Sequence, residues 1–198
     1  MIRRLSCLLV VASMAAACGT ADPDAAGPPA PDPTVNALEA SGQVEFFVRI
    51  IGANGSPIIG DSLSNAFRGF IDAIRYYSDV NKGTSGATHC TAFRFTKAAD
   101  RASPQLLSAV ASGETLQSVR FDFVRNDGFE WQRIDLTGVR ASMVEQAVAP
   151  PDNISPSAVL EEVTLVPSGT ANVTLTATPR NADGSGGASI ISTFTCRP

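Results

Sequence analysis

The residues of this chain best suited to chemistry stand side by side: His89, the single histidine, and Cys90. A Ser-His-Asp triad would have to use His89, and a cysteine activated by a histidine is a common catalytic nucleophile. The surrounding run "HCTAFRFT", however, alternates like a β-strand, in which adjacent side chains point to opposite faces. We therefore expect a structural histidine here and no catalytic residue.

Three other groups invite a chemical interpretation, and each has a simpler structural one. Glu161 and Glu162 are adjacent carboxylates, but on a strand they face opposite sides, so we expect solvated charges rather than an acid/base pair. The run "NADGSGG" (181–187) does not join a strand to a helix, which predicts a turn and no phosphate site. Trp131 and Tyr76 with Tyr77 are able to stack on a sugar, but such aromatics usually belong to a core or an interface. The sequence thus predicts no catalytic, cofactor-binding or metal-binding residue.

The first residues have the layout of an export signal. Arg3 and Arg4 precede an apolar stretch that ends in small residues before Cys18, so we predict a secretory signal peptide over 1–17. This end resembles the lipobox of bacterial lipoproteins, with Ala15 where leucine is usual, and it predicts lipidation of Cys18. A plain signal peptide cleaved near Ala17 is the alternative. We expect an exported bacterial protein, either an envelope lipoprotein of the outer membrane or cell surface, or a secreted one.

Residues 18–42 are rich in proline and alanine and show no periodicity, which predicts a disordered tether. The remainder, 43–198, has the length of one domain. Losing Arg3 and Arg4 with the signal peptide lowers the formal net charge from −4 to −6. An acidic surface repels phosphate backbones, so we expect no nucleic-acid partner and contact with a membrane only through a lipid anchor.

Two cysteines remain once Cys7 leaves with the signal peptide and Cys18 carries a lipid. An even pair in an exported chain favours a disulfide, here between Cys90 and Cys196. Two buried free thiols that never meet are the alternative.

Runs rich in β-branched and aromatic residues recur along 43–198. They are "QVEFFVRIIG", "FIDAIRYYSDV", "HCTAFRFT", the hairpin "SVRFDFVRNDGFEWQRIDLTGV", "AVLEEVTLV", "ANVTLTATP" and "ASIISTFTC". Asn126, Asp127 and Gly128 supply the turn of the hairpin. About eight or nine short strands predict a mainly β fold, either a closed β-barrel or a tightly closed sandwich.

One short α-helix, 103–112, interrupts these strands. Ser103 is expected to be its N-cap, Pro104 its first residue and Gly113 its left-handed stop. The helix is marginal alone, so it must bury an apolar stripe against the sheet. The residues of that stripe are Leu106, Leu107 and Val110.

Several motifs, taken in order, resemble those of the Hcp (haemolysin-coregulated protein) family of type VI secretion tube proteins. The first are the strand end "RIIGANG" and the histidine-containing "HCTAFRFTK". The helix start then matches at Lys97, Asp100, Ser103, Pro104, Leu106 and Leu107. Later come "IDLTGVRASMV", "AVLEEVTL" and the turn "TPRNADGSGG", with Asp183 and Gly184. The resemblance spans about 43–187.

The resemblance implies a small closed β-barrel flanked by one helix, which assembles into hexameric rings that stack into a tube and hold effectors. It therefore predicts a non-enzymatic protein whose partners are further copies of itself and effector or envelope proteins. The export signal and the region 56–80, where "AIRYYSDV" replaces the family's usual run, depart from that pattern. A monomeric envelope lipoprotein that kept the fold but not the ring is the alternative. A tube subunit whose translation starts at Val35 is another.

Overall fold

A computed structural model describes residues 44–84, 86–148 and 159–198. The predicted signal peptide (1–17), the predicted tether (18–42) and the predicted lipidation at Cys18 lie outside the described residues.

The described residues form nine strands and one helix. In chain order these are β1 (Val44–Ile51), β2 (Pro57–Ile58), β3 (Ile71–Lys82), β4 (Thr88–Ala98), α1 (Ser103–Ser112), β5 (Thr115–Leu116), β6 (Ser118–Arg125), β7 (Glu130–Val148), β8 (Val159–Ala177) and β9 (Ile190–Cys196).

Antiparallel pairing closes six of these strands into a ring, in the order β1, β3, β4, β8, β7, β6 and back to β1. The remaining strands extend that ring, with β2 on β1, β5 on β7 and β9 on β8. Inward-pointing side chains of all six ring strands form one apolar core. The expected mainly β, closed Hcp-like architecture with one flanking helix is confirmed.

Two strands are longer than the sequence pattern predicts. β8 unites "AVLEEVTLV" and "ANVTLTATP" in one strand of 19 residues, and β7 is equally long. β7 bends at Gly138, where its register on β8 shifts and φ is 70°. A Cβ at Gly138 would lie 2.5 Å from the main-chain oxygen of Thr170. Glycine therefore lets the long strand follow the curve of the barrel at this bulge.

β1 buries one residue of its outward face, Phe47, in addition to the alternating apolar face that its sequence shows. Phe46, Val48 and Ile50 point into the core. Phe47 points outward and stacks on Phe67, which lies on the segment between β2 and β3, with ring centroids 4.4 Å apart. This segment folds over the outside of β1 and forms a second apolar cluster there.

The helix α1 lies where predicted and ends at the predicted Gly113, but Ser103 is its first residue instead of its N-cap, and its contacts differ from those expected. Ala102 occupies the N-cap position, and the Ser103 side chain does not cap the helix. Gly113 closes it with φ of 66°. Leu106 and Ala109 are buried, whereas Leu107 is exposed. The buried stripe steps by three and four residues through Ala102, Leu106 and Ala109, which leaves Leu107 on the side of the helix.

Candidate functional site

The structure assigns His89 and Cys90 to a link between the start of β4 and the end of the chain. Cys90 and Cys196 form a disulfide that spans 106 residues of sequence. His89 Nδ1 lies 3.1 Å from the main-chain oxygen of Pro198. The Cys90 sulfur is therefore no free nucleophile, and the histidine ring binds backbone.

The prediction that Glu161 is a solvated charge is wrong. Glu161 and Glu162 do face opposite sides of β8, but the Glu161 side chain is completely buried, whereas Glu162 is exposed and lies 3.8 Å from Arg94. Glu161 pairs in register with Lys97 of β4, whose side chain is also completely buried. The alternation that places Val163 and Leu165 inside the barrel also places Glu161 inside. The burial of Glu161 could therefore have been predicted from the sequence.

Lys97 joins β4, β8 and the start of α1. Its ammonium group donates to Glu161 Oε2 at 2.6 Å and to Ser103 Oγ at 3.0 Å, and it lies 2.7 Å from Asp100 Oδ1. Gln146 of β7 donates to the other Glu161 oxygen at 2.7 Å. We call Lys97, Asp100, Ser103, Gln146 and Glu161 the buried polar cluster.

Electrostatics in the buried polar cluster favour an ionised Glu161. Burial raises the pKa of this carboxyl, but hydrogen bonds from Lys97, Ser103 and Gln146 outweigh burial and hold the pKa below its ordinary value. The cluster fixes the helix on the barrel, which is the role that the motif residues Lys97, Asp100 and Ser103 take here.

The aromatic residues considered for sugar stacking do not share a face. Tyr76 and Trp131 both pack on Phe123 in an aromatic cluster, with ring centroids 5.4 and 5.9 Å away. Tyr77 points outward, where Arg94 lies over its ring at 5.9 Å. The rings therefore form no common platform.

The glycine-rich run is a turn, as its composition predicts. Asp183 Oδ1 accepts a hydrogen bond from the Ser185 N–H at 2.9 Å, and Gly184 has φ of 86°. Arg180 forms an ion pair with Asp127 of the β6–β7 turn and lies 5.5 Å above the ring of Phe129. Asp183 and Gly184 thus shape a loop that is fastened to the neighbouring hairpin.

Over the ranges 44–84, 86–148 and 159–198, no three His, Cys, Asp or Glu side chains are grouped so that they could hold a metal ion. Within the same part of the chain, no helix has the length and hydropathy needed to cross a bilayer.

The outward edge of β3 is the feature best suited to bind another protein. β1 pairs with β3 only at Ile71, Asp72 and Ala73, so among the described residues no strand pairs with this edge from Ile74 to Lys82. Unpaired backbone groups of an edge strand readily accept a further strand. Three large apolar side chains are exposed along it: Ile74 (50%), Tyr77 (58%) and Val80 (41%).

The sequence did not reveal this edge, because pairing between strands decides which edge stays open. The run "AIRYYSDV" did mark the right segment, because it replaces the run that is usual at this place in the proteins that the sequence resembles. We call residues 74–82 the open β3 edge.

Comparison with known proteins places these features in a family context. The family described as "Type VI secretion system effector, Hcp" matches residues 55–166. The solved structure of the Hcp1 protein from the E. coli EAEC 042 pathovar aligns with a TM-score of 0.60 and 24% identity, over 76% of this chain and 97% of that one. A type VI secretion system effector from Yersinia pestis gives 0.59 and 22%, over 75% and 98%.

The secreted protein Hcp3 from Pseudomonas aeruginosa aligns with a TM-score of 0.56 and 19% identity, over 78% of this chain and 99% of that one. No curated protein sequence matches the chain. At these identities, the solved structures establish a common fold.

Proposed function

Since the chain belongs to the Hcp family of type VI secretion system proteins, we propose that it acts without catalysis, by assembling with copies of itself and by binding other proteins. The family match supports this role. The bonds of the candidate catalytic residues support it as well, because His89, Cys90 and Glu161 each bind another part of the fold.

The observation that carries self-assembly is the open β3 edge. A closed barrel removes most strand edges, and those left open invite pairing with another chain. Here the edge combines backbone that no described strand pairs with and the apolar side chains of Ile74, Tyr77 and Val80. Arg75, Asp79 and Lys82, between and beyond them, provide charge of both signs. A ring forms when such an edge meets a different surface of the next copy and the rotation closes.

Export is the second part of the proposal. Residues 1–17 direct the chain out of the cytoplasm, Cys18 carries a lipid, and 18–42 connect that anchor to the barrel. The Cys90–Cys196 disulfide supports this, since disulfides persist in oxidising compartments outside the cytoplasm. The proposed partners are further copies of the chain in a hexameric ring, together with effector or envelope proteins.

Lysine substitutions on the open β3 edge test the assembly. We expect the Ile74→Lys and Tyr77→Lys double variant to lose the hexameric ring and run as a monomer in native mass spectrometry, because the contact would have to bury two ammonium groups that water solvates in the free subunit. Leu107→Lys, which adds charge at an exposed apolar site on α1, is the matched control and should keep the mass of the unmodified protein. If the double variant also kept the mass of an assembled unmodified protein, the contact would lie elsewhere.

A further inference from the structure

In the part of the chain that the structure describes, the last strand, β9, pairs with the barrel on one side only. Its ladder with β8 runs from Ile190 opposite Ala177 to Cys196 opposite Ala171. On the side away from β8, the backbone hydrogen bonds found among the described residues lie just beyond the end of β9. There the Cys90 N–H donates to the Arg197 oxygen at 2.9 Å, and the Arg197 N–H donates to the Thr88 oxygen at 3.2 Å. Every ring strand, in contrast, has a paired strand on both sides over part of its length.

β9 also buries little. Ile190 and Ile191 are about two-thirds exposed (68% and 66%), and the next two residues are exposed as well. Phe194 packs partly against the core and Cys196 is buried. Because apolar burial is the main driving force that holds an element in place, β9 depends on its ladder and on its end more than on the core.

The disulfide lies at that end. It fastens the last residue of β9 to Cys90 near the start of β4. The start of β4 and the chain end are also linked by the backbone hydrogen bonds of Arg197 with Thr88 and Cys90, and by the contact of His89 with the Pro198 oxygen. Both cysteines are buried, with at most 1% of their surface exposed. A reductant therefore reaches the bond only after the end of β9 has opened.

We propose that the Cys90–Cys196 disulfide is a redox latch that decides whether β9 stays docked. In the reduced protein β9 detaches readily from β8 and leaves the β8 edge from Ala171 to Ala177 open. On oxidation, the two thiols lose two protons and two electrons. A protein or small-molecule disulfide accepts them by thiol–disulfide exchange and becomes a dithiol. β9 is then fixed and the β8 edge stays covered.

The latch goes beyond the proposed assembly, and its test depends on neither assembly nor export. Hydrogen exchange read by mass spectrometry compares the oxidised full chain with the same chain folded and kept in reductant. In the oxidised protein, we expect the β9 amides that hydrogen-bond to β8 to be about as protected as the paired amides of β1 and β6. In the reduced protein these amides should exchange on the order of a hundredfold faster. This acceleration should be at least about tenfold larger than any acceleration that reduction causes in β1 and β6.

Two variants separate the latch from general stability. The double variant Cys90→Ala with Cys196→Ala should reproduce the selective loss of β9 protection without reductant. Leu116→Ala removes a buried side chain of β5, away from β9, and should speed exchange in all strands alike. If β9 keeps the protection of β1 and β6 without the disulfide, or if all strands lose protection together, the latch is wrong.

Discussion

Removing the charge of Lys97 tests the buried polar cluster most severely. Lys97→Met keeps a long, unbranched side chain and deletes the ammonium group that lies 2.6 Å from Glu161 and 2.7 Å from Asp100. Glu161, completely buried, then keeps only the hydrogen bonds of Ser103 and Gln146. Without the Lys97 ammonium group, the Glu161 carboxylate either stays ionised at a large cost in folding free energy or takes up a proton.

Breaking one partner of a buried ion pair costs about 3–5 kcal/mol. We expect Lys97→Met to lower the free energy of unfolding by that amount in urea titrations of the oxidised protein at pH 7, followed by the fluorescence of Trp131, the single tryptophan. The matched control is Arg94→Met on the same strand. Its pair with Glu162 is exposed on both sides, so the loss should stay below about 1 kcal/mol.

The pH dependence of stability tests the Lys97–Glu161 ion pair independently. Because the folded-state pKa of Glu161 is lowered, its contribution to stability is present above the pKa of the unfolded chain and is lost as the pH falls through the folded-state value. The difference between the wild type and Lys97→Met should therefore shrink in acid. Exchanging Glu161 for Leu as well should recover most of the loss. Equal losses for Lys97→Met and Arg94→Met at pH 7 would refute the reasoning.

Two further substitutions test other parts of the fold. Burial raises the pKa of Tyr76 from 10.0 to about 12, although a hydrogen bond with Ser78 lowers it slightly. Up to about 3 kcal/mol of stability should therefore be lost as the pH rises from 10 to 12, and Tyr76→Phe should lack this loss. Absorbance at 295 nm should show a tyrosine that ionises near pH 12 in the folded protein. Ionisation of Tyr76 near pH 10 would contradict its burial. Gly138→Ala should cost at least about 2 kcal/mol in urea titrations, because φ is positive and the new Cβ meets the Thr170 carbonyl. Gly128→Ala, also at positive φ but in open space, is its control, and an equal loss there would show that crowding at residue 138 is unimportant.

The succession of the longer strands along the chain and the position of the helix were predictable, because alternation, turn residues and the Pro104 and Gly113 signals are local. The burial of Glu161 was also readable, since alternation from Val163 places it inside, but a charged residue argues for the surface until its partner Lys97 is known. The curve of β7 at Gly138 and the outer packing of Phe47 depend on residues far away in sequence. So does the open β3 edge, since the pairing of the described part of β1 with β3 runs only from Val48 opposite Ile71 to Phe46 opposite Ala73.

The measurement closest to the central claim is the native mass of the purified, oxidised protein, followed by negative-stain imaging of the same sample. A self-assembling member of the Hcp family predicts a hexamer that appears as closed rings. A monomer at every concentration would contradict self-assembly and leave only the binding of other proteins as the function of the barrel.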